Sequence, residues 1–220
     1  MTRVQLFFDF DGTIVNSEVG IVHAIKHFIG QMKLHPLAED DYRKFIGPPL
    51  IAGISRFYPD LSDQETQQAI RIFQTYYRRS GLFQLELYPG IITGLDALRA
   101  AGYQLHIASS KPETIMKRIV THLDLDRYFT GKFGATMDER TRVTKTDVLK
   151  YALAQTGADP AYSLMIGDRE ADMIGGKANH VRTIGVTYGF GDRAELIRAK
   201  ASLVIDRPGE ILSAVQRLVH

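Results

Sequence analysis

Asp9 and Asp11 stand two residues apart in FFDFDGT, at the end of a β-branched and aromatic run over residues 4–10. Along an extended segment this spacing turns both carboxylates to one side and sends Phe10 into the core. One carboxylate can attack phosphorus to form an aspartyl-phosphate. The other, protonated on demand, can donate to the leaving oxygen and later deprotonate water. Further polar groups follow predicted strands or open a helix: Ser109, Lys145, and Asp168 within Gly167-Asp168. In an open parallel sheet the ligand lies beyond the C-terminal strand ends, so these groups belong to one site. A nucleophile, a proton shuttle, a hard cation and donors for equatorial oxygens are the parts phosphoryl transfer needs. Magnesium prefers oxygen ligands and keeps waters, which suits Asp9, Asp168 and a main-chain carbonyl near Asp11. It would also screen carboxylate from phosphate, two anions that Coulomb's law otherwise keeps apart in a low-dielectric cleft.

The elements that must position these groups alternate. After Tyr88-Pro89-Gly90 the pattern predicts a helix over 91–101, a strand over 104–108, and strands over 163–166, 182–186 and 202–205. Helices are predicted near 112–122, 144–155, 171–179 and 208–219. Such alternation implies an α/β fold, a Rossmann-like parallel sheet with helices on both faces. Between residues 16 and 83 the period changes to helical. Val19, Val22, Ile25 and Ile29 would form one apolar face, and Ser62 with Glu65 matches a capping box. This block follows directly on the first strand, so it is expected to be an α-helical cap domain, residues 16–82, inserted into a core of 1–15 and 83–220 and lying over the site. Hinges are expected near 14–18 and 81–89.

With 220 residues, 45% of them apolar, the chain can bury a substantial core. Its net charge of +2, with scattered basic residues, gives no electrostatic case for nucleic acid or membrane. The absence of cysteine excludes disulfides and thiolate metal sites and suits a reducing cytoplasm. No HxH or HExxH occurs, which argues against zinc. His106 alternates within a strand and is expected in the core. GFGDRA at 189–194 formally fits a dinucleotide fingerprint but falls late in the chain, and Gly175-Gly176-Lys177 lacks the first glycine of a phosphate-binding loop. Arg140, Arg142 and the cap residues Lys44 and Arg56 are expected as surface charges or contacts to the leaving group, and Tyr76 and Tyr77 as packing.

DFDGT at 9–13 resembles the DxDGT signature of haloacid dehalogenase superfamily phosphatases. IASSKP at 107–112, Lys145 in RVTKTDVLKYAL and GDREAD at 167–172 are similar to that family's later motifs, in the same order. GDREADMIGGKANHVRTIGVTYGFG, and IGPPL at 46–50, resemble the phosphoglycolate phosphatase-like branch. The resemblance implies Asp9 as nucleophile, Asp11 as general acid/base, Ser109 as a donor to the phosphoryl oxygens and Lys145 as the cation steadying both. It implies Mg2+ at Asp9, Asp11 and Asp168, with Asp172 orienting the metal's surroundings. Gly12, Thr13 and Ser110 in the core, and Arg43, Gly47 and Pro48 in the cap, are expected to contact substrate, while the role of Arg169 stays open. The expected substrate is a small phosphorylated metabolite, with phosphoglycolate, pyrophosphate and a nucleoside monophosphate (a 5'-nucleotidase activity) all admissible, and the chain a monomer or homodimer. A phosphomutase of the β-phosphoglucomutase kind would place a histidine where Ile21 stands. A phosphonatase would require a cap lysine, for which Lys26, Lys33 and Lys44 are only generic candidates. A non-catalytic binding protein is disfavoured because every catalytic position is filled.

Overall fold

A computed structural model of the chain describes residues 3–137 and 141–219, so Arg140 lies outside the described residues. The first strand, β1 (Gln5–Phe8), buries Leu6, Phe7 and Phe8 completely. It is shorter than the apolar run suggests. Asp9 still donates its N–H to Ile166, but the Phe10 carbonyl then accepts the N–H groups of Ile14 and Val15 at 2.9 and 3.1 Å, curling the chain beneath the two carboxylates.

The helical block follows as β2 (Val15–Asn16), α1 (Glu18–Gln31), α2 (Glu39–Tyr42), α3 (Leu50–Phe57), α4 (Asp63–Tyr76) and a π turn at Tyr77–Gly81, closing with β3 (Glu86–Leu87). β2 and β3 pair antiparallel, so the two connections lie side by side where hinges were expected. The Ser62 capping box forms at α4, with both reciprocal bonds present. The apolar face of α1 is rotated from the one expected. Ile21, Ala24, Ile25, Phe28 and Ile29 are buried, whereas Val19 is 56% exposed. Both stripes obey helical spacing, and packing against α4 selects between them.

The remainder runs α5 (Ile91–Ala100), β4 (Gln104–Pro112), α6 (Glu113–His122), β5 (Gly131–Ala135), α7 (Lys145–Thr156), β6 (Ser163–Gly167), α8 (Glu170–Ala178), β7 (Arg182–Val186), α9 (Arg193–Arg198), β8 (Leu203–Ile205) and α10 (Ile211–Val219). Six strands form one parallel sheet in the order β5-β4-β1-β6-β7-β8. Leu6 and Phe8 face a core shared with α5, α6 and α10, while Phe7 faces the opposite side with Val148 and Leu149 of α7. Helices therefore cover both faces. The central strand is β1, with β4 and β6 as its neighbours, so the chain turns one way from β1 and later the other. That reversal creates a crevice at the C-terminal ends of the three strands, where Asp9, Ser109 and Asp168 fall.

Candidate active site

Lys145 opens α7 and is 4% exposed, and its ammonium is the hub of the site. Nζ lies 2.6 Å from Asp9 Oδ1, 2.8 Å from Asp172 Oδ1 and 3.1 Å from the Ala108 carbonyl. Burial works against that charge, but Asp172 and Asp9 outweigh it and hold the pKa above the ordinary lysine value. Asp168 completes a cluster: Asp9, Asp168 and Asp172 each offer a carboxylate oxygen, all within 4.8 Å of one another. Burial, reinforced by Asp172 and Asp9, raises the Asp168 pKa well above its ordinary value. Burial likewise raises Asp172, to about 6, with Lys145 opposing the rise.

Three buried carboxylates facing one ammonium leave an excess of negative charge that a hard divalent cation would neutralise, and all the donors are oxygens. The residues present thus fit a metal ion of the magnesium type. Asp172, expected only to support the site, supplies an oxygen to this cluster. The Asp11 side chain does not. Its two carboxylate oxygens accept from Lys111 Nζ at 3.1 and 3.0 Å, and Lys111 also donates to the Tyr77 hydroxyl at 2.9 Å. Burial disfavours the Lys111 charge, yet Asp11 and Tyr77 prevail and its pKa is raised.

The loops explain the precision. Gly12 has φ +86°, and a Cβ there would overlap the Asp168 carboxylate, so the DGT turn requires glycine for both conformation and space. Thr13 is fully buried and donates to Asp168 Oδ1 at 3.3 Å. The Phe190 N–H donates to Asp168 Oδ2 at 2.8 Å, so the glycine-rich turn at 189–191 braces a carboxylate. Arg169 N–H donates to Asp172 Oδ2 at 3.0 Å. Ser109 Oγ is buried and accepts the Lys111 N–H at 3.2 Å.

Among the other expected contacts, Ser110, Gly47 and Pro48 line a cavity beside Asp11. Arg43 is not brought there. It points outward, 58% exposed at its side chain, and pairs with Glu18 at 2.6 Å. Arg142 is likewise spoken for, donating to the Gly134 carbonyl and pairing with Glu113 while lying over the Tyr151 ring. Lys44 pairs with Asp41, Lys26 with Glu39, and Arg56 lies over the ring of Phe57. His106 is in the core as expected, stacked on Phe7 and bonded to Gln5. Tyr76 packs against His27, whereas Tyr77 both stacks on Phe73 and reaches Lys111. Lys111 and the Tyr77 hydroxyl are the site residues that sequence reasoning missed. The signal for Lys111 was its place two residues beyond Ser109, in the last, turn-ward part of a strand that continues to Pro112.

The family model of haloacid dehalogenase-like hydrolases matches residues 6–186. The chain belongs to that family. This hydrolase is 31% identical to a 5'-nucleotidase of Pseudomonas aeruginosa, over 87% of the chain and 86% of that protein. It is 32% identical to the tyrosine-protein kinase PtkA of Mycobacterium tuberculosis, over 94% of the chain and 69% of that protein. Proteins named phosphoglycolate phosphatase are also among its relatives, at 27–29% identity. The solved structure of a predicted phosphatase from Clostridium acetobutylicum superposes with a TM-score of 0.93 at 32% identity, covering 99% of this chain and 100% of that one. The α/β architecture is that of these phosphatases, and the hydrolase is an enzyme of the phosphoric monoester class. Among the described residues no helix is long and apolar enough to cross a membrane.

Proposed function

We propose that this hydrolase cleaves a small phosphate monoester in a magnesium-dependent reaction through an aspartyl-phosphate on Asp9. The observation that carries the reading is the convergence of Asp9, Asp168 and Asp172 on one another, with Lys145 bonded to Asp9 and Asp172, at the C-terminal ends of neighbouring strands. Asp9 Oδ1 is held by both Lys145 and the Phe10 N–H, at 2.6 and 2.7 Å, so Oδ2 is the oxygen available to attack. A bond forms from Oδ2 to phosphorus as the ester P–O bond breaks, and Asp11 gives its proton to the leaving oxygen. Asp11 then takes a proton from the water that attacks the phosphorus of the aspartyl-phosphate, which frees inorganic phosphate and restores Asp9. Ser109 keeps its own proton to donate to an equatorial oxygen, and Lys145 meets another. Magnesium, held by Asp9, Asp168, Asp172 and a main-chain oxygen near Asp11, would supply the charge that screens carboxylate from phosphate.

The helical segment between β2 and β3 serves in this reading as a cap domain, residues 16–82, over a core of 1–15 and 83–220. It supplies Tyr77 and the loop around Gly47 to the space above Asp11. Arg43, turned to solvent, is no longer needed as a substrate contact. Asp9→Asn keeps shape but removes the attacking charge, so turnover should fall by roughly 10⁴-fold or more with the fold unchanged. Single-turnover phosphate release by protein freed of contaminating phosphatases checks this; activity near wild type would remove Asp9 as nucleophile.

A further inference from the structure

Asp11 has to serve twice at one place, giving a proton to the leaving oxygen and then taking one from water, so the direction of its carboxylate matters as much as its chemistry. What fixes that direction is Lys111. Its Nζ lies 3.1 and 3.0 Å from the two Asp11 oxygens, and a contact with both sets the plane of the carboxylate. The pair is buried, with side chains 5% and 10% exposed, so water competes little for either partner.

Two irregularities of the backbone bring Lys111 and its second partner together. β4 runs in register with β5 as far as Ser109 opposite Gly134, and the next pair is Pro112 opposite Ala135. Ser110 and Lys111 are thus extra residues on β4, and a bulge of this kind re-aims side chains. The Ser109 hydroxyl closes it by accepting the Lys111 N–H at 3.2 Å. Across the crevice, α4 runs into the π turn that begins at Tyr77, a local widening that recurs at functional sites. Tyr77 is buried, its ring stacks on Phe73, and its hydroxyl accepts from Lys111 Nζ at 2.9 Å. Both irregularities converge on an ammonium that has no part in the bond changes themselves.

Resting on the phosphatase reading above, we infer that Lys111 is the positioning residue of the general acid/base, and that Tyr77 sets Lys111 from the helical segment. One Asp11 oxygen stays with the ammonium while the other carries the proton to the ester oxygen. Lys111 acts only through Asp11 in this role. Proton transfer then depends on the helical segment being seated against the sheet, because the Tyr77 hydroxyl is part of the chain of contacts.

The test compares kcat/KM of the magnesium-loaded enzyme on phenyl phosphate and p-nitrophenyl phosphate, which present the same ring but release oxygens of different basicity. Phenolate needs the proton more than p-nitrophenolate does, and kcat/KM covers the steps up to departure of the phenol. Asp11→Asn should therefore cost phenyl phosphate more than p-nitrophenyl phosphate. Lys111→Met should move the ratio of the two in the same direction by about tenfold, and Tyr77→Phe, which keeps the ring, by about threefold, within the roughly 10²–10⁴-fold span of acid/base catalysis. In the Asp11→Asn background each should move the ratio by less than about twofold, because effects that pass through one group do not add. Equal proportional losses on both substrates, or a full effect of Lys111→Met without Asp11, would make Lys111 a packing or substrate-binding cation and overturn the inference. An unmoved ratio in Tyr77→Phe would overturn it too, and decides alone should Lys111→Met lack wild-type circular dichroism. If Asp11→Asn itself lowers both substrates equally, Asp11 is not the acid and the inference falls with that assignment. If the wild type hydrolyses neither ester faster than Asp9→Asn, the phosphatase reading itself falls and takes this inference with it.

Discussion

Lys145 offsets only part of the charge gathered around it, and the consequence is measurable. With Asp9 and Asp172 both within 2.8 Å, removing the ammonium leaves buried carboxylates unpaired, a change that costs about 3–5 kcal/mol in other proteins. Lys145→Met should therefore unfold at a much lower temperature in EDTA, and saturating magnesium should recover more stability in the variant than in the wild type. Equal magnesium-induced shifts in the two proteins, followed by thermal melts, would place the metal away from these carboxylates. The residues of this cluster are legible in the sequence because each follows a strand or opens a helix, and a parallel sheet gathers such positions at one edge. Lys111 and Tyr77 are not legible in that way. Their contact spans 34 residues and depends on how the helical block folds back, which no local pattern encodes. Arg43 fails for a related reason: a lone cation on a short helical turn does not reveal which way it points, and Glu18 on α1 claims it.

At the scale of elements, alternation locates β1, β4, β6, β7 and β8 and the helices α5, α6, α7, α8 and α10 to within a few residues. β5 escapes notice because its GKFGA sequence contains two glycines and it pairs only with β4, at the sheet's edge. α9 is six residues long and lies in a stretch whose glycines suggest a turn. β4 carries its own test. His106 sits 4% exposed in this strand, stacked on Phe7, and burial lowers its pKa from 6.5 to about 4. The unfolded chain therefore binds more protons than the folded one between those two values, and stability rises with pH across that window. The contribution is complete above the unfolded value of 6.5 and is lost as pH falls toward 4, on the order of 3 kcal/mol in all. His106→Gln removes the titrating group. In urea unfolding at about pH 7.5, 6 and 5, the first above the window and the other two within it, the difference between wild type and variant should shrink or reverse as pH falls. A constant difference would mean that His106 titrates normally in the folded state.

Across the whole molecule, the helical block touches the catalytic end of the sheet through contacts made across the crevice as well as through its two chain connections. Lys111 of β4 binds Tyr77, and Arg169, next to Asp168, donates Nη1 to the Ile46 carbonyl at 2.9 Å and Nε to Glu195 at 2.9 Å. Gly47 lies directly beneath that guanidinium. Its φ is +101°, and a Cβ there would come within 3.0 Å of Arg169 Cγ, so the IGPPL loop can approach the core only with glycine at this position. Arg169 thus ties the loop that lines the cavity beside Asp11 to the loop that carries Asp168. A charge-assisted bond of this kind contributes about 1.5–3 kcal/mol, enough to shift closure by roughly tenfold or more. Arg169→Ala should accordingly raise KM for an ester that fills the cavity by about tenfold while leaving magnesium affinity near wild type. Arg169→Lys should not restore it, because a single ammonium cannot serve Ile46 and Glu195 with the spread of a guanidinium. Steady-state kinetics beside a magnesium titration separates the two roles open to this side chain. A fall in magnesium affinity that parallels the rise in KM would mean that Arg169 steadies the Asp168–Asp172 turn, and the tie across the crevice would then have no part in binding substrate.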